Sequence, residues 1–329
     1  MYTNVPLIVA ILMLVGGMYF LAKSSDIFID GSAELAYRFR ISPMIVGMVI
    51  IGLGTSAPEL CVSVLSGIAD HTDLSIGNAY GSCTFNIAAI LGITALVRPI
   101  RVKKTIVTVG VPLLTLTALL SIYLLSDYQL TRTNALVLLA VFFVLLPGYC
   151  WFDQKNSTAQ AITPPKVQSS FLRSLIKVVA GLVILIASSH FLVWGAVDIA
   201  RTCGVSDLLI GLTIVGIGTS LPELASAIQS ARKGEDEFIL GNIIGSNFFN
   251  TLAVVGAAGA ISPSNSFSHY ILYRDLPMMI ILSIMIGVFG FRKSREKNGL
   301  ITRSEGLVWV VIFMAYLVLL IVQEFALCP

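Results

Sequence analysis

The sequence predicts an all-α polytopic membrane protein: ten transmembrane helices arranged as two inverted five-helix repeats, with both termini outside. Three observations predict it. Of 329 residues, 56% are hydrophobic and 12% charged, about half the charged share of a soluble domain. Several apolar runs exceed the roughly 18 residues that a helix needs to cross a bilayer core. And one 46-residue stretch, Gly47–Gly92, matches Gly211–Gly256 at a constant offset of 164 without gaps, with 18 positions identical.

In chain order the apolar runs are Val5–Ala22, Pro43–Ala69, Leu74–Val97, Thr105–Leu125, Thr131–Trp151, Phe171–Trp194, Leu208–Ala231, Phe238–Ile261, Tyr270–Phe291 and Gly306–Phe325. The first, within MYTNVPLIVAILMLVGGMYFLA, has no basic n-region and no clean cleavage site, so it reads as a retained helix. Residues 1–151 form the first half and 171–329 the second. Between them 152–170, containing FDQKNSTAQAITPPKVQSS, reads as a flexible cytoplasmic linker from its Pro, Ser and Gln content.

Basic residues fix the orientation. Alternate loops carry Lys23, Arg38 and Arg40; Arg98, Arg101, Lys103 and Lys104; Lys155, Lys166, Arg173 and Lys177; Arg232 and Lys233; and Arg292, Lys293, Arg295, Lys297 and Arg303. These are 18 of the 21 Lys and Arg; the intervening loops hold Arg132, Arg201 and Arg274. Positive charge stays on the cytoplasmic side of membranes, which places the first set inside. Equivalent helices of the two copies are five spans apart, an odd number, so the copies enter the bilayer in opposite directions. Inverted repeats of this kind place a substrate site at the midplane between the copies.

The repeat carries G-x-G-T-S-x-P-E-L and, further on, G-N-x-x-G-S-x-x-F-N. Thr55 and Glu59 are four apart and share a helix face, with Ser56 beside them. Pro58 offers no N–H and crowds the carbonyl of Gly54, so the helix kinks or breaks there. The next span supplies Ser82 and Asn86, and its Gly77 and Gly81 allow close helix packing. The second copy repeats the set as Gly216, Thr219, Ser220, Pro222 and Glu223, then Gly241, Gly245, Ser246 and Asn250.

Every candidate ligand is an oxygen: the carboxylates of Glu59 and Glu223, the hydroxyls of Thr55, Ser56, Thr219, Ser220, Ser82 and Ser246, the amides of Asn86 and Asn250, and the carbonyls of Gly52 and Gly216. Zinc and softer metals prefer imidazole and thiolate, whereas calcium takes six to eight oxygens at roughly 2.3–2.6 Å. Sodium is oxygen-seeking and of similar size. Two carboxylates are neutralised by one divalent ion or two monovalent ones, and an ionisable residue in a membrane span is functional by default. The bland alternatives are hydroxyl back-bonding to helix carbonyls for the Thr and Ser of the first motif, and interhelical packing for Ser82, Ser246, Asn86 and Asn250. Asn78 and Asn242 recur in both copies but read as structural. Cys61 and Cys83 occur in one copy only and read as packing; Asp26, Asp30 and Glu34 balance a basic segment.

At these residues the chain resembles the calcium/cation antiporter superfamily, specifically its sodium/calcium exchanger branch. GTSAPE with GNAYGSCTFN, and GTSLPE with GNIIGSNFFN, carry the resemblance. It implies that Glu59 and Glu223 bind calcium and sodium alternately. Thr55, Ser56, Thr219 and Ser220 would contribute hydroxyl or carbonyl oxygens, Gly52 and Gly216 carbonyls, and Ser82, Ser246, Asn86 and Asn250 the flanking shell. It also implies that the first and sixth helices slide across the other eight. Potassium-dependent members look to have aspartate where this chain has Asn250, which argues against potassium co-transport. The linker is too short for calcium-sensing modules, and a chain this compact resembles prokaryotic members in the plasma (inner) membrane.

The implied activity is exchange of Ca2+ for Na+. A proton/calcium antiporter of the same fold is the alternative, since protonation also neutralises the two glutamates. An intramembrane acid–base enzyme is disfavoured, since the chain has no GxSxG, HExxH or paired intramembrane aspartates. No cofactor is expected beyond the transported ions. The partners are those ions and the lipid bilayer, with no nucleic acid at a net charge of +3 and no obligatory protein partner.

Overall fold

A computed structural model describes residues 6–68, 72–156, 170–202, 216–291 and 299–327. Its helices are α1 (Leu7–Phe39), α2 (Pro43–Thr55), α3 (Ala57–Ile68), α4 (Leu74–Val97), α5 (Ile106–Leu124), α6 (Arg132–Asn156), α7 (Phe171–Thr202), α8 (Gly216–Gly218), α9 (Leu221–Lys233), α10 (Asp236–Ile261), α11 (Ile271–Gly290) and α12 (Arg303–Leu327). Eight of these are long and apolar enough to cross a membrane; α2 and α3, bent by 41° at Ser56, make a ninth span among the described residues. The start of the seventh expected span, Leu208–Ala231, and most of the 152–170 linker lie outside the described residues.

The first and sixth spans outrun their expected ends. Instead of stopping at Ala22, α1 continues to Phe39, 33 residues in all and about 50 Å long. Polar side chains in its second half find partners on neighbouring helices, so the helix is not ended by Lys23 or Asp26. Glu34 accepts from Lys177 and from the Ser174 hydroxyl of α7. Lys233 of α9 bonds to both Asp26 and Asp30. The partner helix α7 continues past Trp194 to Thr202. Gly17 lies against Leu192 and Gly31 against Lys177, so α1 and α7 run antiparallel.

In the centre are α4 and α10. Over their most apolar windows, 78% of α4 and 94% of α10 is buried inside the protein, against 17% for α1, 28% for α7 and 22% for α12. The poorly buried helices carry exposed Leu, Val, Ile and Phe, the surface a bilayer solvates. Cys83 meets Thr251 and Asn86 meets Asn247, so α4 and α10 also cross antiparallel. Against α10, α2 packs with almost no gap: a Cβ on Gly241 would lie 2.5 Å from the Met44 carbonyl, and one on Gly245 would lie 2.6 Å from Met48 Cα. The small-residue pair thus does its expected work in the second copy. No described residue lies within 4 Å of a Cβ placed on Gly77 or Gly81, and the equivalent facing segment falls within 203–215, outside the described residues.

Two features have no antecedent in the sequence reading. A two-stranded antiparallel pair, β1 (Ile100–Val102) and β2 (Gly299–Ile301), joins the α4–α5 and α11–α12 loops, burying Ile100, Val102 and Ile301. Among the described residues, five π-helical stretches interrupt the α-helices, including Gly47–Gly52, Asn86–Leu91 and Phe249–Val254. The last two start on or one residue before the repeated asparagines.

The described parts of the loops richest in Lys and Arg meet at one end. There β1 pairs with β2, Arg98 and Lys103 approach Asp236 and Glu237, and Gln154 bonds to the Arg40 carbonyl and Ser42 N–H. At the other end Leu130 bridges Ser264, and Asp275 holds Arg274 and the Tyr316 hydroxyl.

Candidate functional site

Each repeated GTSxPE motif builds the same local device. The helix reaches Ser56, whose backbone (φ −84°, ψ 7°) leaves the helical region; Ser220 does so with φ −93°, ψ 9°. A new helix starts at once, with Pro58 and Pro222 in its first turn, where proline's missing N–H is no loss. Glu59 and Glu223 therefore sit in the first turn of α3 and α9, where unpaired backbone N–H groups give a helix its positive end and stabilise a carboxylate. The break is a bend rather than an unwound segment: Leu60 N still bonds to the Ser56 carbonyl and Leu224 N to the Ser220 carbonyl.

The two devices then interlock. Ser56 donates its hydroxyl to Oε1 of Glu223 at 2.8 Å, and Ser220 donates to Oε1 of Glu59 at 2.8 Å. Both glutamates are 1% exposed, and the second oxygen of each, Oε2, has no partner. An unsatisfied charged oxygen sealed from water is costly. Two such oxygens, brought together by reciprocal bonds in the protein interior, are what a cation would complete.

Around this pair, Ser82 lies 3.5 Å from the Ser220 hydroxyl. Asn86 and Asn250 are fully buried; Asn86 Oδ1 and both polar atoms of Asn250 are without partners. Thus Glu59, Ser220 and Ser82 form one connected set, and Ser56 with Glu223 another. Thr55 is buried and back-bonds to the Ile51 carbonyl at 2.9 Å. The Gly52 carbonyl accepts from the Ser246 hydroxyl at 3.1 Å and from Ser56 N–H at 3.2 Å, so Ser246 and Gly52 serve each other across the α2–α10 contact. Thr219 is half-buried at the α8–α9 break, and Gly216 begins α8, the first turn of the second motif that is described.

Asn78 and Asn242 have the structural role expected of them. Asn78 Nδ2 donates to the backbone carbonyl of Glu59 at 3.1 Å, and Asn242 Nδ2 to that of Glu223 at 3.3 Å, clamping each glutamate-bearing turn to the following helix. Cys83 is buried within the protein and Cys61 is exposed. Asn247 escaped the sequence reading: it bonds to Asn86, but its counterpart in the first copy is Cys83, so a search for residues present in both copies passes over it.

The chain matches the family of sodium/calcium exchanger proteins over residues 9–148 and 173–322. CaxA of Alkalimonas amylolytica is 39% identical over 322 residues, covering 95% of this chain and 99% of that one. The inner membrane protein YrbG of Escherichia coli (strain K12) is 31% identical over 314 residues, covering 92% and 96%. Among solved structures, the sodium-calcium exchanger NCX_Mj soaked with 10 mM Na+ and 10 mM Sr2+ superposes with a TM-score of 0.80 at 26% identity, over 96% of this chain and 99% of that chain. With a family match over nearly its whole length and a buried pair of interlocked glutamates, the chain belongs to the sodium/calcium exchanger protein family.

Proposed function

We propose that this protein is a secondary active antiporter that exchanges Ca2+ for Na+ across the plasma membrane. The observation that carries the reading is the reciprocal pair of bonds, Ser56 to Glu223 and Ser220 to Glu59, with an open Oε2 on each buried carboxylate. Ca2+ bridges the two carboxylates, supplemented by Asn86, Asn250 and hydroxyls from Ser82, Thr55 and Thr219. Two Na+ balance the same charge when calcium leaves. Gly216 and the other residues of the breaks hold the ligands at the junction of the half-helices. Because the empty site holds two uncompensated acids, reorientation without cargo is disfavoured, which couples the two ions.

The architecture we infer is ten helices in two inverted repeats, 1–151 and 171–329, with a 152–170 linker and both termini outside. The antiparallel crossings of α1 with α7 and of α4 with α10 support it, as does the meeting of the basic loops at one end. Alternating access then comes from movement of α1 and α7, both poorly buried, past the core formed by α4 and α10.

The test is calcium-45 uptake into liposomes holding purified protein, with membrane potential clamped and either an outward sodium or an outward proton gradient imposed. Uptake driven by sodium and indifferent to pH supports the reading. Uptake driven by protons alone assigns the unpartnered Oε2 atoms to protons and makes the protein a proton/calcium antiporter of the same fold.

A further inference from the structure

The two halves of the site are not equivalent, and the residue that breaks their symmetry is Asn247. Asn86 Nδ2 donates to Asn247 Oδ1 at 3.1 Å. A side-chain amide has one oxygen that accepts and one NH2 that donates. With its NH2 committed to Asn247, Asn86 has Oδ1 as its open atom; that oxygen and the Nδ2 of Asn247 are both buried with no partner. Asn86 follows Ser82 by four residues, on the same helix face. Ser82 in turn is 3.5 Å from the Ser220 hydroxyl that bonds Glu59.

Asn250, the repeat mate of Asn86, lacks this arrangement. The residue corresponding to Asn247 in the first copy is Cys83, and a thiol is a poor acceptor. Cys83 Sγ sits instead 3.8 Å from the Asn247 carbonyl and 3.5 Å from Thr251 Oγ1. Both amide atoms of Asn250 are left without partners in a residue that is 0% exposed. An uncommitted amide has two orientations, and only one of them offers oxygen to a cation.

We infer that Asn247 is a positioning residue: it locks the Asn86 amide with its oxygen open to the ion, so the Asn86 half of the site is preorganised and the Asn250 half orients only when the ion arrives. This rests on the calcium/sodium reading above. Partners that orient a metal ligand from behind change affinity by about tenfold to a hundredfold when removed.

The experiment is a double-mutant cycle on purified full-length protein in detergent, read as the rise in melting midpoint with added Ca2+, which reports affinity because the ion binds the folded state. Asn247→Ala is expected to weaken calcium by about tenfold or more and to add nothing in an Asn86→Ala background, where no amide remains to be oriented. Asn247→Leu, of similar volume, does the same and replaces Asn247→Ala if that variant fails to fold. Asn247→Asp keeps an acceptor oxygen and keeps the dependence on Asn86. Effects of Asn247→Ala and Asn86→Ala that multiply, or a lower midpoint with an unchanged calcium response, overturn the inference and leave Asn247 as packing. Wild-type protein that neither responds to calcium nor exchanges it overturns the transport reading itself.

Discussion

Ser56 donates its hydroxyl to Glu223, a residue 167 positions away in the other copy of the repeat, and Ser220 returns the bond to Glu59. Each half of the protein thus completes the carboxylate of the other. Neither copy alone can make this reciprocal pair of bonds.

In the proposed exchange, the carboxylates of Glu59 and Glu223 are the charge that the cargo balances. Glu59→Gln and Glu223→Gln are each expected to abolish sodium-driven calcium uptake, with a loss of at least about a hundredfold, the scale of removing about 3 kcal/mol from a buried charge interaction. Calcium-45 flux in liposomes checks it. Full exchange in either variant would remove the paired-carboxylate mechanism.

The serine hydroxyls hold those carboxylates in place without supplying the charge. A hydrogen bond to a charged group contributes about 1.5–3 kcal/mol. Ser56→Ala and Ser220→Ala are therefore expected to raise the half-saturating calcium concentration by roughly tenfold to a hundredfold while some transport persists. The two effects should be of like size, since the bonds are equal in length. Concentration series of initial uptake rates measure both.

Close packing of α2 on α10 depends on glycine. Gly241→Ala places a methyl 2.5 Å from the Met44 carbonyl and 2.8 Å from Gly47 Cα, and overpacking of this kind costs about 1–3 kcal/mol. Its melting midpoint should fall and exchange should weaken, because the same contact carries the Ser246–Gly52 bond. Gly148→Ala, with nothing within 4 Å of the added carbon, is the control and should be neutral or slightly stabilising. Equal midpoints for the two variants would show that the contact is looser than described.

Lys233 ties the second half of α1 to α9 through Asp26 and Asp30. Partly exposed pairs contribute at most about 1 kcal/mol each, enough to bias the movement of α1 proposed above. Lys233→Gln is expected to change the maximal exchange rate by up to about fivefold and to leave the half-saturating calcium concentration unchanged. A changed calcium affinity with an unchanged rate would place this cluster in the binding site rather than in the movement of α1.

Much of this was legible in the sequence because hydropathy and charge act on the whole chain. The bend at Ser56 followed from Pro58 beside Gly52 and Gly54, and the role of Asn78 from its recurrence apart from the ligand positions. The length of α1 was not legible: Asp26, Asp30 and Glu34 look like the end of a span until Lys233 and Lys177, far along the chain, are seen to pair with them. Nor were the π-helical turns at Asn86 and Phe249, which depend on helix packing and have no residue signature. Asn247 was missed for the opposite reason. Two-fold repetition is a strong filter for what the copies share and discards what makes them differ.

The most direct test of the central claim is equilibrium calcium-45 binding to purified protein across a range of sodium concentrations, with Glu59→Gln beside it. One site that holds the two ions in turn predicts that sodium displaces calcium completely and competitively, and that Glu59→Gln binds little of either. Calcium bound undiminished at high sodium would mean separate sites, and the interlocked glutamates would not be where exchange occurs.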